Sequence, residues 1–331
     1  MEENLKDDPL YTELCDMLGI RYPIIQGAMG MVTNAAFVAA VSNAGAMGVL
    51  ASVNVPLNRL QEEIARVKDL TDRPFAVNLV PIGATFEQRA EIVAKAGVRI
   101  VTTGRGDPRL SVISFLKGLR IKVLPVVPTV RHARRLEKEG ADVIIASGME
   151  GGGHVGQVCT LPLIPQTVDA VDIPVVASGG FGDGRGLLAA LALGACGIQM
   201  GTRFIATEES TAHPNLKKKL LEATEEDTLV TSLFTGKPVR ALKNRLTKLY
   251  HQMESGGTRP ENPEELSRRG WFKKAQEGNV EEGMLAAGQI AGMTQSIEPV
   301  KELVERIVRE ARENLNRLGG GKTFGLCNES L

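Results

Sequence analysis

One histidine has a setting that suggests chemistry. His154 follows three consecutive glycines in ASGMEGGGHVGQ (146–157), directly after an apolar run. Glycines there let the chain run close over a ligand and aim the imidazole inward. An imidazole titrates near neutrality, so it can take a proton from a substrate carbon or supply one. The bland alternative is a loop histidine bonded to backbone. The other three histidines have weaker settings. His132 opens a charged helix and His251 lies in a polar stretch, which points to the surface; His213 precedes a proline and reads as a turn or cap residue. No two histidines have metal-ligand spacing and no Ser-His-Asp or Cys-His set is present, so no metal is expected. Cys15, Cys159, Cys196 and Cys327 are scattered without a CxxC pair, the pattern of a reduced, cytoplasmic chain.

A second set of residues is small rather than reactive. Gly27, Ala28, Met29 and Gly30 follow one apolar run; Asn78, then Thr102, Thr103 and Gly104, close two others; Gly153 precedes His154; Ser178, Gly179 and Gly180 follow another; Gly201 and Thr202 follow the last. Such a lining leaves room for a flat, bulky ligand pressed against backbone, its polar edges met by N–H groups and the Asn78 amide. Met29 would lie beside that ligand or simply fill core. Gly179, Gly180, Gly201 and Thr202 form a candidate phosphate cradle. Two other nucleotide motifs fail: no GxGxxG joins a strand to a helix, and the GGGKT of the tail has Asn316 where a P-loop needs its first glycine.

The elements that must position these residues repeat. NAGAMGVLAS, KAGVRIVTT, EGADVIIAS and LGACGIQMG each read as a helix closed by glycine, then a buried strand. Eight strand-like runs, at 23–27, 47–51, 75–80, 99–103, 122–127, 142–146, 174–178 and 197–201, predict an α/β fold, a closed TIM (β/α)8 barrel, over a doubly wound sheet. In such a barrel the strand C-termini form the active face, and the last two strands commonly hold phosphate. The rhythm breaks after the eighth strand. Residues 12–203 and 296–318 are assigned to the barrel, 204–295 to a mostly helical insertion capping the substrate, and 319–331 to a flexible tail.

Composition narrows the partners. The 331 residues carry 39 Lys and Arg against 39 Asp and Glu, so charge gives no reason to expect nucleic acid or a membrane surface. The N-terminus lacks the order of a signal peptide, and no stretch could span a bilayer. The expected ligand is small.

PIIQGAMGMVTN, FAVNLV, GMEGGGHVGQ, PVVASGGFGDGRG and IQMGTRF, in that order, resemble the nitronate monooxygenase (2-nitropropane dioxygenase) superfamily, which includes the flavin-type enoyl-acyl-carrier-protein reductases. The resemblance runs from about 12 to 318. It implies a TIM barrel holding FMN at Gly27, Met29, Asn78, Gly179, Gly180, Gly201 and Thr202, with His154 as the active-site histidine. Either a nitronate is oxidised through flavin and O2, or NAD(P)H reduces flavin for an enoyl thioester borne by acyl carrier protein. HPNLKKK, VRALKNRL and AAGQIAGM resemble the reductases. Against that, Gly30 and Met31 stand where the reductases have a small residue and tryptophan, and Ser147 where they tend to carry glutamate. The nitronate reaction is the first expectation and the enoyl thioester the alternative; a homodimer stays open. A flavin-free barrel lyase or isomerase acting on a phosphorylated metabolite is the more distant reading.

Overall fold

A computed structural model describes all residues except 1–5, 7, 31, 54, 82–84, 105–109, 234–235, 258–270 and 320–331. The tail expected at 319–331 therefore lies, beyond Gly319, outside the described residues.

Each expected aliphatic run is a strand: β1 (Ile24–Gln26), β2 (Gly48–Ala51), β3 (Phe75–Leu79), β4 (Ile100–Thr103), β5 (Lys122–Val127), β6 (Ile144–Ser147), β8 (Val175–Ser178) and β9 (Gly197–Met200). All neighbours are parallel, in the order β1-β9-β8-β6-β5-β4-β3-β2. A parallel bridge between Ile25 and Met47 closes the ring, helped by the Gln26 side chain, whose Oε1 accepts from Val49 N at 2.9 Å. The fold is a TIM barrel. The glycines of the repeated phrase, Gly45, Gly97, Gly140 and Gly194, all have left-handed φ of 77° to 95°, which is why each helix stops there.

Strand alternation sorts the core into two layers. Ile25, Val49, Ala76, Ile100, Leu124, Ile145 and Val176 fill the barrel interior, joined by Leu14, Cys15 and Leu18 from a helix at Glu13–Leu18. Their neighbours Ile24, Leu50, Val77, Val101, Val123, Ile144, Val175 and Ile198 face outward to the surrounding helices.

After β9 the chain forms helices at Pro214–Leu221, Arg245–Ser255 and Trp271–Gln276. Between the first two runs an antiparallel hairpin that sequence reading did not anticipate, β10 (Thr228–Thr231) and β11 (Val239–Leu242). Leu216, Leu220, Leu242, Leu285, Ala287 and Ala291 pack together with Val32 and Ile205, seating this segment on the barrel. The chain then returns through the helix Val300–Gly319, which packs on the helix Gly184–Ala192. Buried Arg203 pairs with Glu298 at that return, and Arg306 pairs with Glu298 at 2.7 Å and Glu310 at 2.8 Å.

Candidate active site

Above the aliphatic interior lies a polar layer at the strand C-termini. Across the ladders Asn78 stands beside Thr102, and Ser147 beside Ser178, which stands beside Gln199. The Asn78 amide donates to Thr102 Oγ1 at 3.0 Å and Thr102 O at 3.2 Å; Gln199 Nε2 donates to Ser178 Oγ at 3.2 Å. The ring is buried apart from Gln199, which is half-buried. Thr103, beside Thr102, has a buried hydroxyl with no hydrogen-bond partner.

Two residues beyond the Ser178 and Gln199 pair, the chains reach Gly180 and Gly201, the strand ends from which a phosphate cradle was expected. Gly201 caps the four-residue helix Thr202–Ile205, which has no side-chain cap, so its N–H groups remain to be satisfied. Thr202 Oγ1 accepts from Gly288 N at 2.8 Å and keeps its own proton to donate. The longer helix Gly184–Ala192 is otherwise engaged: Asp183 accepts from Arg185 N and Gly186 N, and Glu310 accepts from Gly184 N. Gly179 is buried; an added Cβ would lie 2.8 Å from Gly148 O, so this glycine serves a loop contact. Gly180 is exposed. On the facing side Gly27 is buried, its N–H donating to Met200 O at 2.7 Å, with Ala28 and Met29 half-buried. Met29 packs against both the barrel core and the insertion. An uncapped helix start, exposed glycine N–H and a free hydroxyl proton fit a phosphate-bearing flavin held by backbone.

His154 stands on the rim. It forms with Gly153 a two-residue strand, β7, antiparallel to β11: Val239 pairs with His154 and Arg240 with Gly153. The residue is exposed, while Gly153 has φ of 77° and nothing within 4 Å of a would-be Cβ. The glycines before it answer to the insertion more than to a ligand. A Cβ at Gly152 would meet the backbone of Ala287 at 2.7 Å, and one at Gly288 would meet Glu150 O at 2.6 Å. Glu150 anchors the loop's start. Its carboxylate accepts from Thr160 N at 2.9 Å and Thr160 Oγ1 at 2.7 Å, capping the helix Thr160–Val168, while its carbonyl accepts from Gln289 N.

The structure thus brings Gly27, Ala28, Met29, Asn78, Ser178, Gly179, Gly180, Gly201 and Thr202 to one end of the barrel and places Gly153 and His154 on its rim. His213 is away from this set. It caps the helix Pro214–Leu221, its Nδ1 accepting from Asn215 N at 3.1 Å. His251 is exposed, and among the described residues no cluster could hold a metal. Two site residues escaped sequence reading. Gln199 lies inside a strand and is visible only by its parity with Gly201. Arg240, buried opposite Gly153, reads in sequence as an ordinary surface cation.

Residues 11–81 and 80–310 match the family model described as nitronate monooxygenase. The chain belongs to that family, and it is a flavin-dependent oxidoreductase. It is 36% identical to a 5-hydroxy-7a-methyl-1-oxo-octahydro-1H-indene-4-carboxyl-CoA dehydrogenase of Mycobacterium tuberculosis, over 92% of this chain and 97% of that one. It is 34% identical to a probable nitronate monooxygenase of Staphylococcus saprophyticus, over 93% and 99%. Among solved structures it resembles FabK from Thermotoga maritima, with TM-score 0.89, 38% identity and 93% and 98% of the chains covered. Nitroalkane oxidase from Streptomyces ansochromogenes gives TM-score 0.79, 30% identity and coverage of 92% and 99%.

Proposed function

We propose that this protein exchanges hydride between FMN and an acyl thioester, with His154 handling the proton. The observation that carries the reading is the open rim: His154, Gly180 and Gly30 are all exposed. Sites for small free ligands bury most of the ligand surface, whereas a thioester on a long carrier arm reaches an open rim and covers it itself. The similarity to a carboxyl-CoA dehydrogenase and to FabK supports the same substrate class.

FMN, when bound, supplies the hydride chemistry. Gly180, Gly201 and Thr202 hold its phosphate, Asn78 and Ser178 lie beneath it, and Met29 and Gly27 flank it. His154 gives or takes the proton at the carbon next to the thioester carbonyl. Residues 204–295 serve as the substrate cap on a barrel formed by 12–203 and 296–318. NAD(P)H is the reductant where the reaction runs toward reduction. Free thiols at Cys15, Cys159 and Cys196 support a reducing, cytoplasmic setting. Oxidation of a nitronate through O2 is the second reading, favoured by the nitroalkane oxidase likeness.

Anaerobic mixing separates them. Flavin bleached by NADH or NADPH and recoloured by crotonyl-CoA, or bleached directly by a saturated acyl-CoA, supports the thioester. Bleaching by a nitronate with no response to any thioester selects the second reading. A purified protein without visible absorbance that also refuses added FMN refutes both. His154→Ala is expected to keep flavin and lose about 10²–10⁴-fold in turnover.

A further inference from the structure

Arg240 belongs to the insertion, yet its contacts go to the loop that carries His154. It is buried, 6% exposed. Its Nε donates to Met149 O at 2.8 Å, and Nη1 donates to Thr228 Oγ1 at 3.0 Å on the adjacent strand. Its main chain pairs with Gly153, and Val155 N donates to Pro238 O at 3.0 Å just beyond. One residue therefore grips the segment Met149–Gly153 at both ends, by side chain at the start and by backbone at the finish. Between those grips lie consecutive glycines, which lose more freedom on ordering than any other residue. Such a segment needs ties from outside itself.

We propose that Arg240 is a positioning residue for His154, holding the imidazole at the rim by fixing the loop before it. The inference rests on the proton-transfer role proposed for His154. Arg240 shares its face of the small sheet with Gly153, and strand alternation puts the His154 side chain on the other face. Its action is therefore placement rather than a field on the ring. The guanidinium suits the task because its planar fork directs donors to Met149 O and Thr228 Oγ1 at once, which a lysine ammonium cannot do in that geometry. The Glu150 carboxylate favours the cation in this buried setting, against the desolvation that disfavours it.

Four proteins test this: the wild type, Arg240→Gln, His154→Ala and the double variant, with Arg240→Lys as a charge-preserving substitute should Arg240→Gln fail to fold. Arg240→Gln is expected to lower kcat about 10–10²-fold, as a displacement near 1 Å does, with KM and flavin content unchanged. In the His154→Ala background the same substitution should cost nothing further. Amide hydrogen exchange over 150–155, read with or without flavin, should quicken at least tenfold while the barrel strands keep their protection. Losses that multiply in the double variant, or exchange over 150–155 that stays at the wild-type rate, overturn the proposal. If His154→Ala leaves turnover intact, the role given to His154 fails instead, and exchange still decides whether Arg240 orders the loop.

Discussion

Gly152 and Gly288 offer the sharpest test of how the His154 loop is held. A Cβ on Gly152 would lie 2.7 Å from the Ala287 carbonyl carbon and 2.8 Å from both Ala287 Cα and Gly288 N. All three are backbone atoms, so no rotamer change relieves the contact. Ordinary van der Waals separation requires the loop and the insertion to part by roughly 0.7 Å. Overpacking of this kind costs about 1–3 kcal/mol, and moving a proton-transfer group by that distance costs up to about 10²-fold in rate. Gly152→Ala is therefore expected to keep its flavin, unfold at a lower urea midpoint with an unchanged slope, and turn over about 10–100 times more slowly. Gly288→Ala presses from the other side, its Cβ falling 2.6 Å from Glu150 O and 3.0 Å from Gly152 N, and should reproduce both losses. Gly153→Ala is the control: it meets nothing within 4 Å but holds φ of 77°, so it costs about 1–2 kcal/mol of backbone strain without driving the loop off the insertion. The measurements are flavin absorbance per chain, urea unfolding and steady-state kcat. If Gly152→Ala and Gly288→Ala both match the wild type in midpoint and turnover, close backbone packing is not what fixes the loop.

Two further outcomes follow from buried ionisable groups. Burial would raise the Glu298 carboxyl, but Arg306 and Arg203 outweigh it and hold it below the ordinary 4.5; the stability this adds is present above 4.5 and lost as pH falls through the lower folded value. Glu298→Gln should destabilise by roughly 3–5 kcal/mol at pH 7, and the gap to wild type should narrow below pH 4.5; a gap that is constant between pH 7 and pH 3 contradicts the pairing. Burial also pushes the Cys196 thiol up to about 12, so at pH 8 a thiol reagent should modify exposed Cys159 quickly and reach Cys196 only on unfolding. Modification of Cys196 in the folded enzyme at the Cys159 rate would show that the interior is open.

The barrel was legible because its information is local. Runs such as KVLPVV and DVIIA, each preceded by a helix-ending glycine, announce buried strands, and all eight fall within two residues of their expected bounds. The placement of Gly179, Gly180, Gly201 and Thr202 followed from strand count alone. What escaped depends on partners far away in the chain. TLVT and VRAL are too short and too polar to signal a hairpin, and they become strands by pairing with each other and with Gly153–His154. Arg240 is hidden for the same reason, since a cation reveals its burial only when the carbonyl it serves is known. The glycines before His154 were attributed to a ligand, whereas the chain pressing on Gly152 is Ala287, which no spacing rule connects to it.

Closure of the cylinder is uneven. β1 shares a register of three residues with β9 but meets β2 through a single backbone bridge and one glutamine amide. Thermal breathing will concentrate at that seam, because the free energy of local opening tracks the bonds that must break. The Gly27 N–H is tied to Met200, so Gly27–Gly30 would swing away with β9, parting from Val53 on the far bank. A fault line beside the cofactor cradle gives a bound nucleotide an exit that leaves the other seven junctions of the wall standing.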